Sequence, residues 1–120
     1  MAISSQPLAE RAHYVTLTGL LTWADFQAFL AQTEAQGLLT PGAVRVLIHL
    51  DHFTGWESGE HWGDISFFCR HDQEIDRIAV VGEARWRDEM LLFLFGDQRH
   101  AETRFFTDSD LTAARAWLLG

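Results

Sequence analysis

The chain has 120 residues, 48% of them apolar and 22% charged, which suits one globular domain with its own core and excludes a disordered chain. About two-thirds of the surface of an unfolded chain this long can be buried on folding, so no staple is required. The net charge is −8 and all nine basic residues are arginine, which disfavours nucleic acid and anionic membrane surfaces as partners.

The single cysteine, Cys69, permits no intrachain disulfide, which suits a reducing compartment. Residues 1–14 lack the apolar stretch of a signal peptide. The longest apolar run, residues 90–95, is too short to span a bilayer. A cytoplasmic protein without a membrane span is expected.

No repeat, linker or low-complexity segment divides the chain, so residues 1–120 are read as one domain. Residues 1–11 form a weakly patterned N-terminal strand or arm, in which Pro7 limits pairing. Residues 13–18 alternate, with β-branched and aromatic side chains, and read as a strand. Residues 19–21 are expected to turn. Thr22-Trp-Ala-Asp25 then matches a capping pattern, and Trp23, Phe26 and Leu30 follow at helical spacing. Gly37 suits the end of that helix.

Residues 43–50 are the clearest strand, nearly continuously apolar, as for a central strand. Residues 55–59 read as a loop. Trp62, Ile65, Phe68 and Cys69 give a second helical stripe. Residues 77–81 make a short buried strand closed by Gly82. Trp86, Met90, Phe93 and Leu94 mark a third helix that stops at Gly96. Residues 103–106 are a last strand. Thr107-Asp-Ser-Asp110 is again a capping pattern, opening a terminal helix with Leu111, Ala114, Trp117 and Leu118 on one face.

Alternation of strands and helices predicts right-handed crossovers. The expected fold is α/β: a four- or five-stranded, mostly parallel sheet with about four helices. The opening strand or hairpin is the place for an antiparallel partner.

Four segments, in this order and spacing, resemble the SpoIIAA-like family of small bacterial proteins. They are Leu20-Leu-Thr-Trp-Ala-Asp-Phe26; Val46-Leu-Ile-His-Leu-Asp51 with Phe53-Thr-Gly-Trp56; Arg77-Ile-Ala-Val-Val-Gly82 with Trp86; and Thr103-Arg-Phe-Phe106 with Ala113-Ala-Arg-Ala-Trp-Leu118. The resemblance covers residues 12–120. It implies kinship of fold with STAS domains and with CRAL-TRIO lipid-transfer domains, and it implies little about chemistry. Anti-sigma-factor antagonists of the wider fold carry a phosphorylatable Ser in a pattern resembling Asp-Ser-Ser-Gly. Here the region reads Gly55-Trp-Glu-Ser-Gly-Glu60, so only Ser58-Gly59 can be matched.

Ligands of open parallel sheets bind beyond the carboxyl ends of the strands. That places residues 51–58, 82–86 and 107–108 on one rim. A possible pocket there draws on Asp51, His52, Trp56, Glu83 and Trp86, with the indoles as walls. The plainer alternative has both indoles closing the core. Ser58 is a phosphoacceptor candidate, since a helix N-terminus stabilises phosphate; the simpler role is the N-cap itself.

His49-Leu-Asp51 could form a dyad, but no nucleophile can be assigned beside it, and Cys69 lies on an apolar stripe. The acidic, His-containing residues between 52 and 72 match no metal-ligand spacing. Neither a catalytic residue, nor a metal, nor a cofactor is therefore expected, and the chain is read as no enzyme. The third helix is apolar all round at residues 90–95, so Leu91, Leu92 or Phe95 should touch something besides the sheet. A second copy is the first choice, and an apolar ligand or cover by residues 96–102 are the others. The sequence thus points to a non-enzymatic interaction or regulatory module, a homodimer or partner of another protein, with a small carrier of an apolar, lipid-like ligand as the alternative.

Overall fold

A hairpin opens the protein, whose computed structural model describes residues 3–9, 12–35, 44–57, 75–93 and 102–120. Strand β1, Ile3–Ala9, runs antiparallel to β2, Ala12–Leu21. Their register slips between Pro7 and Ala9, where proline has no N–H to donate. Helix α1, Trp23–Ala35, leads to β3, Val44–Trp56. Strand β4, Ile75–Gly82, is followed by a 3-10 turn, Ala84–Trp86, and helix α2, Arg87–Phe93. Strand β5, Glu102–Thr107, passes through a 3-10 turn, Asp108–Asp110, into helix α3, Leu111–Leu119. The sheet order is β1-β2-β3-β4-β5, parallel from β2 onward.

The pleat sends alternate residues to two faces. Val15, Leu17, Leu50, Phe53, Ile78 and Val80 face α1 and α2 and pack with Phe26, Leu30 and Met90. Leu47, Ala79 and Val81 face α3 and pack with Ala114 and Leu118. Each large apolar side chain buried this way contributes about 1.5–3 kcal/mol. Strand β4 is covered on both faces, which is why Ile78, Ala79, Val80 and Val81 are apolar without alternation.

The ends of α1 and α3 are fixed by polar contacts. The Asp25 N–H donates to Thr22 Oγ1 at 3.2 Å, as the capping pattern requires. Glu57 completes the cap from the end of β3: its Oε1 accepts the Trp23 N–H at 2.9 Å, and its own N–H donates to Leu21 O at 2.9 Å. At the end of α3, Arg45 donates to Leu118 O at 2.8 Å and Arg77 donates to Trp117 O at 2.7 Å. Both also reach Gly120 O, so two cations complement the negative end of the helix dipole.

The expected α/β sheet is present, with five strands and three helices among the described residues. The helix expected over residues 62–69 lies outside the described residues. Three expectations need correction. Residues 19–21 do not turn: β2 continues to Leu21, whose side chain is buried, with Gly19 at φ +66°. Likewise β3 does not stop near residue 50 but runs on to Trp56, since Gly19, Leu20 and Leu21 pair with Phe53, Gly55 and Trp56. Thr107 opens a 3-10 turn without a side-chain cap bond; its hydroxyl meets Ser109 Oγ at 3.1 Å and donates to Asp110 Oδ2 at 3.2 Å.

Candidate functional site

The strand ends define the site. His49, Val81 and Phe106 lie in one row across β3, β4 and β5. Beyond that row β4 and β5 stop within a residue, while β2 and β3 continue as a two-stranded ribbon. Two extra residues enter β3 there, because Leu17, Gly19 and Leu20 pair with Leu50, Phe53 and Gly55. Such bulges re-aim side chains at sheet rims.

The first bulge turns residues 51 and 52 outward. His52 has φ 57°, the left-handed region that an ordinary side chain avoids at about 1–2 kcal/mol. Its side chain is 91% exposed, so burial does not offset that cost. His52 Nδ1 instead meets Asp51 Oδ1 at 2.8 Å. After the bulge the chain returns Phe53 to the first core face. Phe53, Trp56 and Trp86 then pack edge to face, with ring centroids 5.1 Å from Phe53 to each indole and 6.0 Å between the indoles. Trp86 lies against the backbone of Gly55, where a Cβ would stand 3.5 Å from its ring. The Trp86 indole nitrogen is shielded from water and has no hydrogen-bond acceptor among the described residues.

The expected pocket residues therefore divide. Trp56 and Trp86 join the core edge, whereas Asp51 and His52 face solvent. Glu83 is exposed and pairs with Arg85 at 3.3 Å, and the Arg85 guanidinium lies 4.8 Å from the Trp86 ring centre. In α2, Met90 is fully buried and Leu91 half-buried. Ser58, Phe95 and the side chain of Leu92 lie outside the described residues.

The second sheet face carries a constellation that the sequence does not announce. Tyr14 Oη lies 2.7 Å from His49 Nδ1, with the rings edge to face at 5.9 Å. His49 Nε2 lies 3.6 Å from Asp108 Oδ1, in the turn before α3. A neutral imidazole that accepts the phenol proton at Nδ1 carries its own on Nε2, toward Asp108. Burial pushes the Tyr14 phenol above its usual pKa; the Arg115 guanidinium opposes this and the Asp51 carboxylate adds to it. A phenol held neutral in this way is a proton donor and a poor nucleophile. The arrangement links β2 to β3 by a hydrogen bond and sets the turn before α3 within charge-pairing distance of β3.

Sequence reasoning sees His49 and Asp51 as alternate residues of one strand, but the bulge gives Asp51 to His52. Tyr14 and Asp108 replace it at His49. The visible signals were the placement of residues 107–108 on the rim and the strand pattern over residues 13–18.

A model of the SpoIIAA-like family matches residues 12–119. No curated protein matches the chain. Among solved structures, an uncharacterized protein from the DUF3478 family with a SpoIIAA-like fold, from Shewanella loihica, is similar with a TM-score of 0.72. The match covers 98% of this chain and 92% of that one at 21% identity, so the likeness is one of fold.

Proposed function

The chain belongs to the SpoIIAA-like family, and from that premise we propose that it is a non-enzymatic interaction or regulatory module that pairs with a second copy of itself in the cytoplasm. The observation that carries this reading is the bulge at residues 51–53. Backbone strain is spent there on holding two polar side chains out in solvent, and strain of this kind gathers at functional sites, ligand clamps and switch regions among them. Leu91 supports the self-pairing, because it keeps part of its apolar surface exposed on α2, beside the buried Met90, where a second copy can cover it. No helix among the described residues is long and apolar enough to cross a membrane.

Sedimentation of the purified chain tests the reading. A dimer is expected, with Leu91→Glu shifting it to monomer. A wild-type chain that sediments as a monomer at its highest soluble concentration overturns the pairing. Asp51→Asn with His52→Gly asks whether the bulge takes part: loss of association without a fall in melting temperature supports recognition there.

A second reading, a small carrier of an apolar ligand, draws on the Trp86 indole N–H, which an ligand carbonyl would satisfy. Native mass spectrometry of fresh protein checks it. A co-purifying mass that Trp86→Phe removes supports the carrier, and its absence from the wild type refutes it.

A further inference from the structure

We propose that His49 is a proton-operated latch that draws the start of α3 onto the sheet. The two ends of this helix are held by different chemistry. At its end, Arg45 and Arg77 donate to Leu118 O, Trp117 O and Gly120 O. A guanidinium keeps its charge at every pH a protein meets. At its start, Asp108 faces His49 Nε2 at 3.6 Å, too far for a hydrogen bond and near enough for charge pairing.

The groups around His49 come from each neighbouring element among those described. Strand β2 presents the Tyr14 hydroxyl on Nδ1. Strand β3 carries Asp51 two residues on, paired with His52 and with its charge reaching Tyr14. In the row, β4 and β5 contribute the apolar Val81 and Phe106. The turn before α3 brings Asp108, and α3 brings Arg115, whose charge reaches Tyr14. Thr107, Ser109 and Asp110 engage one another beside Asp108.

A proton taken from solvent onto Nδ1 makes both ring nitrogens donors. Tyr14 must then turn from donor to acceptor. On the other side, Asp108 meets a cation in place of a neutral N–H, and a charge-assisted bond is shorter and stronger than a neutral one. The long contact closes and the first turn of α3 follows it. The latch therefore acts on one end of α3 and leaves the arginine-held end alone.

Hydrogen exchange on the full chain, corrected for intrinsic rates, tests this at about pH 5.5 and about pH 8, either side of the range where imidazoles titrate. Protection of amides 112–115 should rise about two- to five-fold at the lower pH, the scale of a partly exposed ion pair, with amides 116–119 unchanged. Asp108→Asn and His49→Gln should abolish the response, and Tyr14→Phe should keep it. An equal response in wild type and Asp108→Asn, or none in wild type, overturns the latch. Should a variant fail to fold, the imidazole nitrogen shifts of the wild type decide: a proton on Nε2 at high pH is expected, and a proton on Nδ1 refutes the scheme.

Discussion

Replacing Gly82 with alanine should test how closely β3 and β4 must approach at the rim. Gly82 is the last residue of β4, and a Cβ built there would lie 2.7 Å from Leu50 Cβ, 2.8 Å from its Cδ1 and 3.0 Å from its Cγ. Leu50 is itself buried in the first core, and its Cβ is fixed to the backbone, so rotation of the side chain relieves only part of the collision. Overpacking a filled core costs about 1–3 kcal/mol, and the backbone-fixed contact puts this case in the upper half. Loss of unfolded-chain freedom on changing Gly to Ala returns about 0.4–1 kcal/mol. The net loss is about 2 kcal/mol, or roughly 8 °C in melting temperature for a domain of this size. Urea unfolding followed by tryptophan emission measures it. A cycle with Leu50→Ala should show coupling of about 1 kcal/mol or more, since that change removes Cγ and Cδ1 but leaves Cβ. A Gly82→Ala melting point within about 2 °C of wild type, or plain additivity with Leu50→Ala, would refute the argument.

Gly19→Ala provides the contrast, since nothing lies within 4 Å of its Cβ position and only its φ of +66° resists; the cost should be about 1–2 kcal/mol, and Gly19→Asn should cost less. Arg77→Ala removes hydrogen bonds to Trp117 O and Gly120 O and the guanidinium 5.5 Å from the Trp117 ring, so urea unfolding should report a loss of about 1–2 kcal/mol that lysine only partly restores. Tyr14 is the one tyrosine of the chain, so phenolate absorbance reports it alone. Its titration should lie above 10.0, move down in Asp51→Asn and move up in Arg115→Gln. The sign follows from the raised value: the folded chain holds this proton longer than the unfolded one, so the associated stability is complete below about pH 10 and is lost as pH rises through the folded pKa. A melting point insensitive to pH across that window would contradict it.

Most of the frame was legible because each signal was local. Thr22 sits at the start of α1 and accepts the Asp25 N–H, as the pattern Thr22-Trp-Ala-Asp25 requires. The run through Val80 and Val81 marked a doubly covered strand. The ribbon beyond Leu50 was not legible, because two inserted residues break the period of two that identifies a strand. Residues 55–59 therefore read as a loop, although Gly55 and Trp56 pair with β2. The partners of His49 were hidden for a different reason. Tyr14 reaches it from a neighbouring strand and Asp108 from the far end of the chain, and both depend on register and on the position of α3. The indoles of Trp56 and Trp86 do come together, as their places on the rim suggested, but in contact with Phe53 and on the core side.

The position of α3 follows from no rule of chain connection. Strands β2 to β5 stand in sequence order and run parallel, so right-handed crossovers put their helices on one face, and α1 and α2 both pack there. Helix α3 comes after the last strand and joins nothing further in the sheet, so handedness does not choose its face. Specific contacts must. Ala114 and Leu118 supply apolar burial in its middle and last turns, Arg45 and Arg77 hold its end, and Asp108 faces His49 at its start. Burial alone permits the helix to slide over Leu47, Ala79 and Val81, because apolar contact has no direction. Hydrogen bonds to named carbonyls do not permit it. Arg45→Gln with Arg77→Gln should therefore lower exchange protection in residues 116–119 first, while residues 112–115 keep their dependence on pH. Simultaneous loss at both ends would mean that α3 docks as one unit and that its two ends are not held separately.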